Sequence, residues 1–529
     1  MRKIYLPVLC CALALFAISC QPTTKHTPDQ EIVILFENDV HCAIDGYSQL
    51  SALRNEEAKQ TPYVAVVSAG DFAQGSAIGS LSQGESIVKL MNVVHYDAVT
   101  IGNHEFDYGI EQQKKLMHEL DAAVVCCNFT DIHNHLQYKP FVIRRYGKVK
   151  VAYVGVATPT TFTTSTPTIF ENEKGELIYS FHADDTFELV QKAVDKARKR
   201  GADYVIVLSH LGDDTALDNS VDLIAATTGI DAVLDGHQHH ILNYKLPNAN
   251  GDSVILASTG TQFMRLGKLT IDTTGELSVT LLDAENYAAH DEKVDVAIEE
   301  ITTEMHDIIG QVVGHTDVDL TMLKNGRREV RRGETNLSDL LTDAFRFVTG
   351  ADIGIANGGG IRNQIKAGDI TFGAVYSVIP FNNTMRKLEC TGQQLLDALE
   401  VGVALAPEEN GDFLHVSGLR YTYTTAVPTS IMLDKNQLFI GVGQTRRILS
   451  AEVERNGEWE SIDPEATYTL GGQSYILVNK GANGALQFMQ EIDCEQIRDV
   501  DAVIKYLDAI GNVTAEQYGV AQEREVRVK

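Results

Sequence analysis

The sequence predicts an α/β protein of two domains joined by a helix, and three observations predict it. From about Glu31 to Glu285, short β-branched runs alternate with amphipathic stretches, the rhythm of strands and helices stacked in layers. Residues 286–311 are polar, acidic and helical in pattern, without a strand. From residue 312 the alternation resumes. At about 150 residues per domain, the 529 residues hold two to four domains, and a hydrophobic fraction of 44% is enough to give each a core.

The first 19 residues stand apart. Arg2 and Lys3 precede an apolar run from Ile4 to Ile18, followed by Ser19 and Cys20. This is the pattern of a secretory signal peptide, too short for a spanning helix of about 20 residues. Ala17-Ile18-Ser19-Cys20 resembles a bacterial lipobox, which implies a lipid on Cys20; an ordinary signal peptide cut elsewhere is the alternative. Residues 20–30 then form a polar tether. The expectation is an exported, membrane-anchored lipoprotein in the periplasm or at the cell surface, held to the membrane only by its lipid. A net charge of −28 argues against binding a nucleic acid polymer through a broad basic face. It leaves room for a small anion in a locally positive pocket. Five cysteines remain after Cys10, Cys11 and Cys20, an odd number without zinc-ribbon spacing. Adjacent Cys126 and Cys127 are expected buried and reduced.

In the first domain the strand runs are 32–36, 63–68, 98–101, 122–127, 149–157, 203–209, 231–235 and 253–258. Helical spacing is seen in Gly84–Val94, Gly109–Leu120 and most clearly Asp184–Arg200, with Phe187, Val190, Ala193, Val194 and Ala197 on one face. In the second domain, Leu337–Thr349 reads as a helix that Asn336 caps. The run 353–357 is a strand entering Gly358-Gly359-Gly360, and Thr391 opens a helix to Leu405.

Polar residues collect after the strands. The run 32–36 leads to Asp39 and His41, 63–68 to Asp71, 98–101 to Asn103 and His104, 203–209 to His210, and 231–235 to His237 and His239. Each alone has an ordinary reading: an Asp after a strand caps a turn, and a lone His is a hydrogen-bonded structural residue. In an α/β sheet, however, strand carboxyl ends converge on one edge. Apart from His104, the seven oxygen or nitrogen donors gathered there suit two cations about 3.5–4 Å apart. Asp-x-His and His-x-His present two side chains on one face, because strand side chains alternate. Histidine and carboxylate ligands suit zinc, manganese, cobalt or iron.

Asp39-x-His41, Gly70-Asp71, Gly102-Asn103-His104-Glu105, His210 and Gly236-His237-x-His239 resemble the motif series of calcineurin-like metallophosphoesterases. Arg331, Glu334-Thr335-Asn336-Leu337, Asn357-Gly358-Gly359-Gly360-Ile361-Arg362, Pro380-Phe381 and Val416-Ser417-Gly418 resemble the C-terminal domain of the 5′-nucleotidase family, which includes bacterial UDP-sugar hydrolases. The resemblance implies a four-layer αββα metallophosphoesterase sandwich over 31–285, a connecting helix over 286–311, and a substrate-binding α/β domain over 312–529. It implies that Asp39, His41, Asp71 and His239 hold one divalent ion, and Asp71, Asn103, His210 and His237 the other, with Asp71 bridging. Hydroxide activated by the two ions would convert a nucleoside 5′-monophosphate to nucleoside and phosphate. His104 would stabilise the transition state or protonate the leaving oxygen, with Asp107 orienting it.

Of the substrate residues, Arg331 and Arg362 would grip phosphate, and Gly359 would allow close backbone approach. Asn357 would bond the base or ribose, and Phe381 and Tyr475 would stack on the base. From the residues alone, Phe381 reads equally as core. The chain departs from the family at Gly481-Ala482-Asn483-Gly484-Ala485, where the family has Gly-Gly-Asp-Gly and an aromatic. A 2′,3′-cyclic-nucleotide phosphodiesterase with 3′-nucleotidase activity and a UDP-sugar pyrophosphatase are the alternative activities. A non-catalytic surface binding lipoprotein is the alternative from another class; such a protein should have lost ligands, and all seven are present.

Overall fold

The computed structural model describes residues 25–214, 218–433, 439–478 and 483–528. The leader, Cys20 and the start of the tether lie outside the described residues, as do Gly481 and Ala482.

The strands that build the first domain are β1 (Ile32–Glu37), β2 (Val64–Ser68), β3 (Ala98–Val99), β4 (Ala123–Val124), β5 (Phe141–Tyr146), β6 (Val149–Ala157), β7 (Tyr204–His210), β8 (Ala232–Leu234), β9 (Ile241–Pro247), β10 (Ser253–Thr259), β11 (Arg265–Ile271) and β12 (Leu277–Asp283). They form two six-stranded sheets, ordered β12-β11-β1-β2-β3-β4 and β9-β10-β8-β7-β6-β5. β1 to β4 run parallel, as do β6, β7, β8 and β10.

Side-chain alternation fixes the layers. Ile32, Ile34 and Phe36 of β1 share one buried cluster with Ile206 and Leu208 of β7, between the sheets. Val33 and Leu35 point the other way, into a cluster with Leu50, Ile87 and Met91 of the helices Asp45–Glu57 and Glu85–Val94. Val205, Val207 and Val233 pack on the helix Thr186–Lys199 through Val190, Ala193, Val194 and Ala197. The result is the expected helix-sheet-sheet-helix sandwich. Phe187 is only half-buried. β3 and β4 have two residues each, shorter than the apolar runs suggest, because the chain beyond them turns into the site loop and an isolated bridge from Val125 to Lys139.

The helix Glu292–Ile309 starts at Asp291, whose side chain accepts from the Lys293 amide. Val294, Ala297 and Ile301 hold it to the first domain. Its Ile309 packs against the second domain's core, into which Ala77 and Leu81 of the short helix Ala77–Ser82 also reach.

The second domain has a five-stranded sheet in which Ile353–Asn357 lies between Leu414–Ser417 and Thr467–Gln473. A four-stranded sheet includes Leu419–Thr424 and the late strand Glu525–Val528. Asn336 is not the cap expected of it. The helix runs Asn336–Thr349 and its cap is Thr335, which forms a reciprocal box with Ser338. Asn336 instead donates to the carbonyls of Asp319 and Tyr518. Thr391 caps its helix, which ends at Gly402. Cys42, Cys126, Cys127 and Cys390 are buried free thiols. Among the described residues no helix is long and apolar enough to cross a membrane.

Candidate metal centre and substrate pocket

The parallel register aligns Glu37 with Ser68 and Ser68 with Val99, so the chain leaves β1, β2 and β3 at one edge. β7 and β8 end there too. Asp39, His41, Asp71, His237 and His239 all take positive φ, between 43° and 84°. Each such residue costs about 1–3 kcal/mol and persists only where its surroundings over-determine it.

All seven predicted donors meet. His239 Nε2 lies 3.4 Å from Asp39 Oδ1. His41 Nε2 lies 3.9 Å from Asp39 Oδ1 and 3.9 Å from Asp71 Oδ2. His210 Nε2 is 3.1 Å from Asp71 Oδ2 and 3.9 Å from Asp39 Oδ1. Asn103 Oδ1 faces His237 Nδ1 at 3.0 Å. Two donor groups emerge, Asp39 with His41 and His239, and Asp39 with Asp71 and His210. Asp39 is thus common to both, and Asp71 Oδ2 also faces a histidine of each.

These residues fit bound cations. His41 Nδ1 faces the carbonyl of Gln74 at 3.0 Å and His210 Nδ1 that of Ala69 at 2.7 Å. A carbonyl only accepts, so each Nδ1 carries a proton and Nε2 is the ring atom left to a cation or a second proton. The His41 lone pair faces another imidazole nitrogen, His239 Nε2, at 3.1 Å. His210 Nε2 faces a carboxylate oxygen without making a hydrogen bond. Lone pairs turned toward one another are reconciled by a cation or a proton. Burial works against a charged His210, yet Asp71 and Asp39 push its pKa up to about 10. Burial, reinforced by neighbouring positive charge, holds His41 and His239 well below their ordinary value and lowers His237 to about 3, which keeps them neutral and ready to coordinate.

His104 sits beside this group. Its amide donates to Asp71 Oδ1 at 2.8 Å and its Nδ1 pairs with Asp107 Oδ2 at 2.6 Å. Burial disfavours its charged form, but Asp107 and Asp71 raise its pKa overall. Its Nε2 lies 3.5 Å from Arg362 Nη2 of the second domain, and its ring centroid 5.7 Å from that of Phe381. The Arg362 guanidinium stands 5.6 Å from the Phe381 ring centre. Burial, then Arg328 and Arg362, hold the Arg331 pKa well below the usual range; a bound anion would relieve that crowding. Asn357 gives its Nδ2 to the Gly411 carbonyl, while its Oδ1 is buried with no partner. Gly359 also bonds Gly411, and a Cβ on it would meet that carbonyl oxygen at 3.0 Å. The Tyr475 amide donates to Asn383, two residues beyond Phe381, and its hydroxyl crosses to the Thr163 carbonyl of the first domain.

Residues 32–240 match the calcineurin-like phosphoesterase family, and residues 312–490 match the 5′-nucleotidase C-terminal domain. The chain joins a calcineurin-like phosphoesterase domain to a 5′-nucleotidase C-terminal domain. It is 26% identical to a trifunctional nucleotide phosphoesterase of Bacillus subtilis (strain 168), over 91% of this chain and 34% of that protein, so it spans about a third of that relative. It is 23% identical to a probable 5′-nucleotidase of Treponema pallidum, over 96% of each. The crystal structure of a 5′-nucleotidase precursor from Thermus thermophilus superposes with a TM-score of 0.79 at 25% identity, covering 94% of this chain and 99% of that one. The first half thus carries a calcineurin-like phosphoesterase domain.

Within this architecture, three residues support the site although the sequence reading assigns them no role of their own. Glu105 accepts from the amides of Asp71, Phe72, Ala73 and Gly102, at 2.6–3.1 Å. Burial and Asp71 push its carboxyl up to about 7, while the Asp71 and Gly102 amides favour the charged form. Asn38 donates to Asp39 Oδ2 at 2.7 Å and accepts from the Thr259 amide at 2.7 Å, so it aims Asp39. The sequence signal for Glu105 is its place in the Gly102-Asn103-His104-Glu105 series, and for Asn38 only a polar side chain beside a ligand. Arg328, which pairs with Glu409, is a third; a run of arginines between Arg327 and Arg332 marks it.

Proposed function

We propose that this chain hydrolyses nucleoside 5′-monophosphates to nucleoside and phosphate. The observation that carries the reading is the meeting of Arg362 and Phe381 with His104, a phosphate grip and an aromatic face beside the group that would serve the leaving oxygen. Asp39, His41, Asp71, Asn103, His210, His237 and His239 would hold two divalent ions. Such ions supply Lewis acidity, drawing charge from phosphoryl oxygens and making a water-derived nucleophile available at neutral pH. Arg331 and Arg362 bind phosphate oxygens through their forked guanidinium groups. His104, held by Asp107 through Nδ1, presents Nε2 as the atom that gives a proton to the departing ribose oxygen. Phe381 and Tyr475 flank the base, and Asn357 offers its unpartnered Oδ1 to a donor on the nucleoside. Export on a lipidated Cys20 belongs to the same proposal.

Cyclic 2′,3′-phosphodiester and 3′-monoester hydrolysis is the second reading. The Bacillus relative is named trifunctional, so one chain of this kind can serve more than one nucleotide phosphoester, and Asn483 favours the second reading. In place of the family carboxylate, Asn483 turns its Nδ2 to the Ala398 carbonyl, which leaves ribose recognition less constrained. A panel of AMP, 3′-AMP, 2′,3′-cAMP and UDP-glucose, run with several divalent metals, separates the readings. Fastest turnover is expected with AMP; none with AMP overturns the first.

A further inference from the structure

Glu334-Thr335-Asn336 and Val416-Ser417-Gly418 are not placed at the substrate by anything above. They converge on the segment Tyr518–Val528. Glu334 accepts from the amide of Arg524 at 2.9 Å and from that of Gln522 at 3.1 Å. The Tyr518 carbonyl accepts from Asn336 at 2.8 Å, and Arg524 donates to the Val416 carbonyl at 3.1 Å. The segment thus fastened carries Glu525, which is buried. Its Oε1 accepts from the Val416 amide at 3.0 Å, and its Oε2 pairs with His415 Nδ1 at 2.9 Å. His415, fully buried, reaches the Val330 carbonyl with its other nitrogen at 2.8 Å. Val330 precedes Arg331. A Cβ on Gly358 would meet the same Val330 oxygen at 2.0 Å, so the Asn357-Gly358 turn rests on it as well.

We propose that His415 and Glu525 are positioning residues, a buried strut that ties the late strand to Val330 and thereby sets Arg331 and the Asn357 turn for the substrate anion. The chemistry of the bonds supports this. Val330 O only accepts, so Nε2 carries a proton, and a second proton is shared between Nδ1 and the carboxylate. A buried, charge-assisted pair is stiff and directional. It acts on a loop that otherwise has like-charged guanidinium groups pressed together. The proposal rests on the substrate reading given above.

The test is a double-substitution cycle on the metal-loaded full chain. Binding of AMP, and of inorganic pyrophosphate as a bare anion probe, is measured by calorimetry for wild type, His415→Phe, Arg331→Ala and the double variant. His415→Phe should weaken both ligands about tenfold or more, raise KM for AMP, and leave kcat within about twofold. In the Arg331→Ala background it should weaken pyrophosphate no further. His415→Gln, which retains a donor for Val330, should recover part of the loss. Glu525→Gln gives the same reading from the milder side should His415→Phe fold poorly. Unchanged affinity in the single variants, or losses that add in the double variant, overturns the strut. Wild type that binds pyrophosphate but does not turn over AMP sinks the nucleotidase reading and leaves the cycle readable.

Discussion

His104 has one ring nitrogen committed to Asp107 and the other, Nε2, turned toward Arg362 Nη2 at 3.5 Å. With Nδ1 bound to Asp107 at 2.6 Å, the proton available for chemistry sits on Nε2, and the same carboxylate raises the His104 pKa. Asp107→Asn should therefore lower kcat by about 100-fold or more with a smaller change in KM. In the proposed mechanism the imidazolium is the acid, and it is present below its pKa. Removing the carboxylate lowers that pKa, so the alkaline limb of the kcat–pH profile should move to lower pH. An unmoved limb would detach His104 from the proton transfer. At this scale the sequence was informative where a function needs a particular side chain: Asp, His and Asn after strands announce themselves by type and spacing. The roles of Glu105 and Asn38 did not, because they consist of bonds to amides about 30 and 220 positions away, which exist only once the strand ends meet.

Strand ends hold the site because the parallel strands stop level with one another, and the turns beyond them are tight. Gly102 shows how tight. A Cβ there would meet Asp71 Oδ1 at 2.1 Å and the Asp71 amide at 2.8 Å. Gly102→Ala should displace Asp71 and, at the scale of a 1 Å misplacement, cost about 100-fold in phosphoesterase activity. Metal analysis should show reduced occupancy; full occupancy with normal activity would mean that the Asp71 carboxylate moves without consequence. Element identity was largely legible, since periods of 2 and 3.6 are local properties. Lengths and caps were less so. β3 and β4 end early because the sheet, not the apolar run, decides where pairing stops. Thr335 rather than Asn336 caps its helix because both side chains can cap, and Asn336 is drawn off to Asp319 and Tyr518. The edge strands β9 and β12, the half-polar β11 beside β12, and the late edge strand Glu525–Val528 carry no loud signal, because polar residues interrupt their apolar pattern.

At the scale of the molecule the two domains meet over the site. Gln74 and Ser80 donate to the Pro380 carbonyl, next to Phe381, and Tyr475 bonds Thr163. Cations bound on one side of this contact should stabilise the folded catalytic domain by mass action. Chelating a loaded sample is expected to lower its melting temperature by roughly 5–10 °C for free ion at about 100 times Kd; no change would remove the metal reading. The sequence by itself determined which side chains are candidates for chemistry and most of the strands and helices, because donor type and hydrophobic period are written locally. Only the tertiary structure decided that Arg362 and Phe381 face His104, that Glu105 gathers four amides, and that a late strand props Arg331. Those contacts join residues up to hundreds of positions apart, and their geometry follows from sheet register and domain packing rather than from any short stretch of chain.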